Sequence, residues 1–185
     1  MSTQKQTRVA VLLGSYRAGS LNRRIAEHLR EHAPAGVTVD VVEGLDAVPF
    51  YNEEIDGESA PAAATALRES VSSADRVLAV TPEYSGTMPA VLNNAIDWLS
   101  RPYGQGAIVG KPFAAIGATP TPYGGKWAHE HARHSATIAG AAVVDGIVVD
   151  VAALEGDPLA DEASVQRLLG ALDDLVAHEA EAAVA

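Results

Sequence analysis

The chain contains no cysteine, and that absence excludes disulfides, thiolate metal sites and thiol nucleophiles together. Aromatic residues are scarce at 5%, so a core has to be filled by Ala, Val, Leu and Ile. Long hydrophobic runs are also missing. No stretch approaches the roughly 20 apolar residues of a membrane-spanning helix. Met1–Arg8 is polar and only a few apolar residues follow it, which does not read as a secretory leader. The expectation is a cytoplasmic protein with no membrane partner. Basic residues are in deficit, 13 against 24 acidic, for a formal net charge of -11. Binding to a nucleic-acid backbone relies on clustered Lys and Arg, so no nucleic-acid partner is expected. A small anionic ligand needs only a local pocket of donors and is not excluded.

The 185 residues suit one domain with a substantial core, and 48% hydrophobic with 20% charged is ordinary for a globular chain. Short apolar runs alternate with amphipathic stretches. Arg8–Leu13, Val37–Val42, Arg76–Val80, Pro112–Ala118 and Ala142–Val149 read as five buried strands. Between them, helices are expected from Ser20 towards Pro34, over Pro61–Ala74, Met88–Leu99 and Lys126–Ile138. A last helix should start at Asp157-Pro158 or Asp161, with Val165, Leu168, Leu172 and Leu175 on one face. The ordered core is expected over residues 8–178, with 1–7 and 179–185 frayed. Apolar strands alternating with helices give an α/β fold, a parallel sheet covered on both faces. Such sheets bind ligands beyond the carboxyl ends of their strands. The loops of interest are therefore Gly14–Asn22, Thr81–Thr87 and Thr119–Gly125.

The first of these loops joins a strand to a helix N-terminus, where backbone N–H groups and the helix dipole favour a phosphate. Ser15 and Ser20 add hydroxyls, Asn22 an amide and Arg17 a guanidinium fork. A Walker A loop would need Lys after Gly19, and Ser20 stands there; a dinucleotide fingerprint would need a third, closely spaced Gly. In the second loop Pro82, Pro89 and Gly86 set a rigid bend, Tyr84 offers a flat face, and Ser85, Gly86 and Thr87 offer backbone amides to a planar heterocycle.

Three blocks together resemble the NAD(P)H-dependent FMN reductases of the flavodoxin-like superfamily, over roughly residues 8–178. They are Gly14-Ser15-Tyr16-Arg17-Ala18-Gly19-Ser20-Leu21-Asn22, the run from Thr81 through Arg101, and Gly110-Lys111-Pro112 through Gly124-Gly125. The resemblance implies a three-layer flavodoxin-like sandwich with a five-stranded parallel sheet in the order 2-1-3-4-5. It implies FMN as cofactor and NADPH or NADH as donor. Ser15, Arg17, Ser20 and Asn22, with Leu21 beside them, would hold the phosphate. Pro82, Glu83, Tyr84, Ser85 and Gly86 would line the ring, with Thr119, Gly124 and Gly125 on its pyrimidine side. It further implies a ping-pong reduction of a small-molecule acceptor such as a quinone, flavin or azo compound, in a homodimer or homotetramer. Neither a catalytic side chain nor a metal is expected, because FMN carries the chemistry. A one-electron carrier like flavodoxin, or a flavin-binding redox sensor, is the alternative. Many relatives carry Asn where Ser85 stands and Lys where Asn93 stands, and Pro120 and Pro122 are expected to reshape the acceptor pocket.

Other signals read as ordinary surface. His28-Leu29-Arg30-Glu31-His32 matches a zinc-peptidase pattern but lies far from the expected cleft. His129, His131 and His134 read as surface residues, and Glu53, Glu54, Asp56 and Glu58 as a solvated acidic loop. Trp98 lies off the main apolar stripe of its helix, which suits either a subunit interface or the core.

Overall fold

The structure, a computed structural model, describes residues 6–57, 59–154 and 156–179. Its element order is β1 (Thr7–Leu13), α1 (Leu21–Glu31), β2 (Val37–Val42), α2 (Ala62–Ser72), β3 (Arg76–Val80), α3 (Ala90–Leu99), β4 (Pro112–Thr119), α4 (Lys126–Ile138), β5 (Ala142–Val143), β6 (Val149–Ala152) and α5 (Glu162–Ala177). All strand pairs are parallel, in the order β2-β1-β3-β4-β5, with β6 also on β4. The apolar stripes of α1 and α5 (Ile25, Leu29, Leu168, Leu172) pack on one face of the sheet. Those of α2, α3 and α4 (Leu67, Leu92, Ile96, Ala132) pack on the other. Buried on both faces, the strands read as continuous hydrophobic runs rather than alternating ones.

The sheet has six strands where five were expected, because the fifth is interrupted. Phe113 pairs with Val143 and Ile116 with Val149, so three steps along β4 face six along the other chain. The Asp145-Gly146 turn, closed by Ile147 N donating to Val144 O (3.1 Å), accommodates the excess. Two helices start later than their patterns suggest. A residue before proline is disfavoured in the helical region, and Pro89 itself is extended (φ -59°, ψ 145°). Met88 therefore precedes α3, and Pro61 flanks α2 in the same way. The last helix is capped by Asp161, which accepts from Ser164 N.

The amino end is ordered further out than expected: Thr7 belongs to β1, and Gln6 Nε2 donates to Thr38 Oγ1 (2.6 Å). Residues 1–5 and 180–185, within the ends expected to fray, and Glu58 of the acidic loop lie outside the described residues. Trp98 is wholly buried in the core. Its Nε1 donates to Pro49 O (2.8 Å), and its ring meets Tyr51 edge-on and the Arg68 guanidinium face-on. Asp56 is not a solvated loop carboxylate. It forms a two-bond fork with Arg68 (2.7 and 2.9 Å) and its side chain is only 12% exposed. The guanidinium holds the Asp56 carboxyl below the usual carboxylate range.

Candidate functional site

In the order 2-1-3-4-5 the chain leaves β1 in one direction along the sheet and β3 in the other, so the crevice opens between their carboxyl ends. The three loops selected from sequence start there. They are joined by specific contacts. At the first, Gly14 N donates to Val80 O (2.9 Å), and Gly14 lies so close to Thr81 that a Cβ would stand 2.2 Å from Thr81 Oγ1. Only glycine allows the two strand ends to approach in this way.

Beyond Gly14, Ser15 is buried and Arg17 is exposed; the Arg17 carbonyl accepts from Ser20 N (3.0 Å), while its guanidinium has no hydrogen-bond or ion-pair partner among the described residues. Ser20 caps α1 by accepting from Arg23 N (3.3 Å). The first-turn N–H groups of Leu21 and Asn22 have no acceptor inside the helix. Asn22 has a different role from the one its sequence position suggests. Its Oδ1 accepts from Ala118 N and its Nδ2 donates to Ala118 O, both at 2.9 Å, which bolts α1 to the end of β4. One Nδ2 hydrogen and the backbone N–H are left over for a ligand. Tyr16, between Ser15 and Arg17, buries its hydroxyl beside the Leu45 backbone, and burial pushes the phenol up to about 12.

After β3, Tyr84 N donates to Thr87 O (2.9 Å) and Thr87 N to Tyr84 O (3.1 Å). Ser85 (φ 53°) and Gly86 (φ 71°) are both left-handed, the signature of a type I′ turn, which presents exposed backbone at a fixed tip. Asn tolerates that region better than Ser, so Ser85 leaves this turn somewhat strained. Pro82 is buried beneath it. Glu83 does not face outward as a ring contact: its Oε2 accepts from Trp127 N (3.0 Å) and Ala128 N (3.3 Å). The preceding N-cap position holds Gly125, which has no side chain to cap α4, and Glu83 supplies the missing acceptor where the helix dipole favours an anion.

The loop after β4 closes the third side. Thr119 is buried, its Oγ1 2.9 Å from Thr121 Oγ1. Gly124 and Gly125 are left-handed and buried; a Cβ on Gly124 would stand 2.7 Å from Asp150 C. Sequence reasoning missed the centre of this assembly. His129, read as a surface residue, is 0% exposed. Its Nδ1 lies 2.5 Å from Asp150 Oδ1 and its Nε2 3.1 Å from Thr81 O. The spacing of its helix carried a signal that was available: His129 follows Ala128 and precedes Ala132 and Ala136 on the small-residue face that packs on the sheet. His131 and His134 are exposed, and His28 stacks on His32 at 4.0 Å.

Sizeable hollows also lie elsewhere. One of about 690 Å³ is lined by Tyr51, Asp56, Arg68 and Arg101, and one of about 580 Å³ by Ile96, Tyr103, His134 and Ile138. A third of about 430 Å³ touches the first loop through Tyr16, with Leu45, Phe50 and Val91. None has the convergence of backbone donors, free guanidinium and left-handed turns found at the strand ends, and that convergence, rather than volume, marks the site.

The sequence profile of the NADPH-dependent FMN reductases matches residues 7–154. The chain belongs to that family. With membership come the enzyme class, oxidoreductase, and the cofactors FMN and NAD(P)H. Quinone reductases are among its relatives. One from Pseudomonas putida is 43% identical over 127 residues, covering 69% of this chain and 68% of its own. One from Escherichia coli K12 is 32% identical over 175 residues, 91% of this chain and 93% of its own. Among solved structures, FerB from Paracoccus denitrificans, a flavoenzyme NAD(P)H:(acceptor) oxidoreductase, superposes with a TM-score of 0.82 at 31% identity. That match covers 92% of this chain and 95% of FerB. The family's flavodoxin-like architecture is the one described above. Among the described residues no helix is long and apolar enough to cross a membrane.

Proposed function

We propose that the cleft beyond β1, β3 and β4 binds one FMN, and that the protein passes electron pairs from NADPH or NADH to a quinone-type acceptor by a ping-pong mechanism. One observation carries the reading: the open N-terminus of α1 and the unpaired Arg17 side chain follow β1, and the exposed turn at Ser85-Gly86 follows β3, the parallel strand paired with it. Phosphate chemistry suits the first and a planar ring suits the second. When bound, FMN supplies the hydride and electron transfer.

The protein's residues bind and orient. Arg17 supplies the guanidinium, Leu21 and Asn22 their backbone N–H groups, and Ser15 and Ser20 their hydroxyl protons, which together replace the water around a phosphate dianion. Tyr84, Ser85 and Gly86 offer an aromatic face and turn amides, held over the buried Pro82. Glu83 keeps that loop against α4. Thr119, Gly124 and Gly125 bring backbone close on the other side, where a side chain on Gly124 would meet β6. No side chain need act as a nucleophile. The quinone reductases among the relatives favour a quinone as acceptor, while the family name keeps free flavin as a candidate beside azo compounds. The working unit is read as a single domain over residues 8–178, in a homodimer or homotetramer. Tyr103 (84% exposed) and Ile138 (72% exposed), which line the hollow beside α3 and α4, support assembly.

The test is a visible spectrum of the FMN-loaded protein during anaerobic addition of NADPH and then NADH. Bleaching of the band near roughly 450 nm in one two-electron step, with parallel lines in double-reciprocal plots against a quinone, is the expected result. A flavin that binds and does not bleach would turn the reading towards a carrier or sensor. No flavin binding would remove it.

A further inference from the structure

We infer that His129 and Asp150 form a charged clamp, with protons on both ring nitrogens of His129, that positions the Thr81–Gly86 loop for the flavin ring. The inference rests on the FMN reading above and goes beyond it, because neither residue belongs to the phosphate or ring loops. Two oxygens face the imidazole ring of His129. Thr81 O is a carbonyl and can only accept, so His129 Nε2 carries a hydrogen. Asp150 Oδ1 stands 2.5 Å from Nδ1, closer than the roughly 2.7–2.9 Å of a charge-assisted N–H···O bond, so a proton must lie between the two atoms. The Asp150 side chain keeps 20% of its surface, so its carboxylate retains some water, and Arg167 donates to its backbone carbonyl (3.3 Å). With Asp150 ionised, as its remaining contact with water favours, each neutral tautomer would set a ring lone pair against one of these oxygens. The imidazolium satisfies both.

The slot for the ring exists only because two neighbours are glycine. A Cβ on Gly117 would stand 3.1 Å from His129 Nε2 and 2.2 Å from Thr81 O, and one on Gly125 3.0 Å from Cε1. The same Gly117 Cβ would be 2.6 Å from Asn22 Oδ1, so the clamp lies beside the bolt that joins α1 to β4. A buried ion pair adds little to stability compared with an apolar filling of equal volume. What it fixes is direction. Here it fixes the carbonyl of the first residue after β3, and with it the path of the chain into Pro82 and the left-handed turn. His129 is therefore a positioning residue, acting through Thr81.

The first measurement uses the protein alone. Long-range 1H–15N spectra of histidine-labelled protein at neutral pH, assigned with His129→Gln, are expected to show both His129 nitrogens protonated; an unprotonated, pyridine-like nitrogen overturns the clamp. FMN titrated into the same wild-type sample should shift these signals, and signals that stay in place while FMN binds overturn the positioning role. In His129→Gln and Asp150→Asn, FMN affinity should fall about tenfold or more, the scale on which loss of an orienting partner acts. The visible band of the saturated complex should change shape as well. Variants that melt earlier but keep wild-type affinity and the wild-type saturated spectrum would reduce the pair to a structural role and refute the inference. Failure of wild-type protein to bind FMN would remove the proposed function and the positioning role together, while the first spectrum would still decide the protonation of His129.

Discussion

Gly14→Ala is the substitution whose cost can be worked out most directly. A Cβ at position 14 would lie 2.2 Å from Thr81 Oγ1, 2.7 Å from Thr81 Cβ and 3.2 Å from Thr81 Cα. Rotating the hydroxyl away relieves only the first contact; the other two are fixed by the Thr81 backbone just beyond β3. The strand ends must then part by several tenths of an ångström, lengthening the Gly14 N to Val80 O bond. Forced insertion of a methyl into a packed site costs about 1–3 kcal/mol, and the upper part of that range applies where backbone has to move. For a chain of this length, 2–3 kcal/mol lowers the melting temperature by roughly 4–12 °C. FMN affinity should fall with it, since the loops after β1 and β3 both start at this contact. Thr81→Gly removes the Cβ contact and leaves the 3.2 Å one, so the double variant should recover about 1–2 kcal/mol relative to the sum of the singles. Melting followed by circular dichroism and FMN titration followed by fluorescence measure both effects. A Gly14→Ala protein that melts within a degree of wild type and binds FMN equally well refutes this account of Gly14.

Arg17→Ala should weaken FMN binding roughly 10- to 100-fold, the worth of a charge-assisted phosphate contact, and leave the melting temperature unchanged because Arg17 is exposed and unpaired; equal affinity in a fluorescence titration contradicts its role. Because Arg68 depresses the Asp56 carboxyl, the pair's stabilisation is complete above the unfolded aspartate pKa of about 3.9 and is lost as pH falls through the lower folded value. Asp56→Asn should cost roughly 1–3 kcal/mol at neutral pH, between exposed and fully buried pairs. It should also flatten the decline of melting temperature below about pH 4; an unaltered acid limb counts against the pair.

The first four strand positions and the helix faces were legible because their apolar periods are clean, as in Arg76–Val80 and around Leu92, Ala95, Ile96 and Leu99, whereas the break in the fifth strand was not. The strand order came from resemblance and not from periodicity. What sequence could not show was contact at a distance. Asn22 was selected as a phosphate donor by position and Glu83 as lining the ring by resemblance, yet their side chains are engaged with Ala118 and with the start of α4. Both engagements span long stretches of chain that no local pattern reports. His129 was misjudged for a related reason. Histidines at 129 and 131 cannot share a helix face, and treating the group as one surface cluster hid the fact that one of them had to point inward. Asp56 was read as solvated because its partner, Arg68, lies a full turn into the next helix.

The break between β5 and β6 gives the Asp150 carboxylate a location that depends on counting. Had the strand run on unbroken from Val143, the residue facing Gly117 would be Ile147; the excess residues of Val144–Val148 bring Asp150 there instead. The acid is thus set beneath His129 by the length of a turn several residues away. Deleting any one of those turn residues, where the turn does not absorb the loss, would present Val151 to Gly117 and turn the carboxylate to the opposite side of the sheet. Among the descendants of such a chain the dyad could vanish with both of its members still spelled in the sequence, and an alignment column holding the aspartate would give no sign of it.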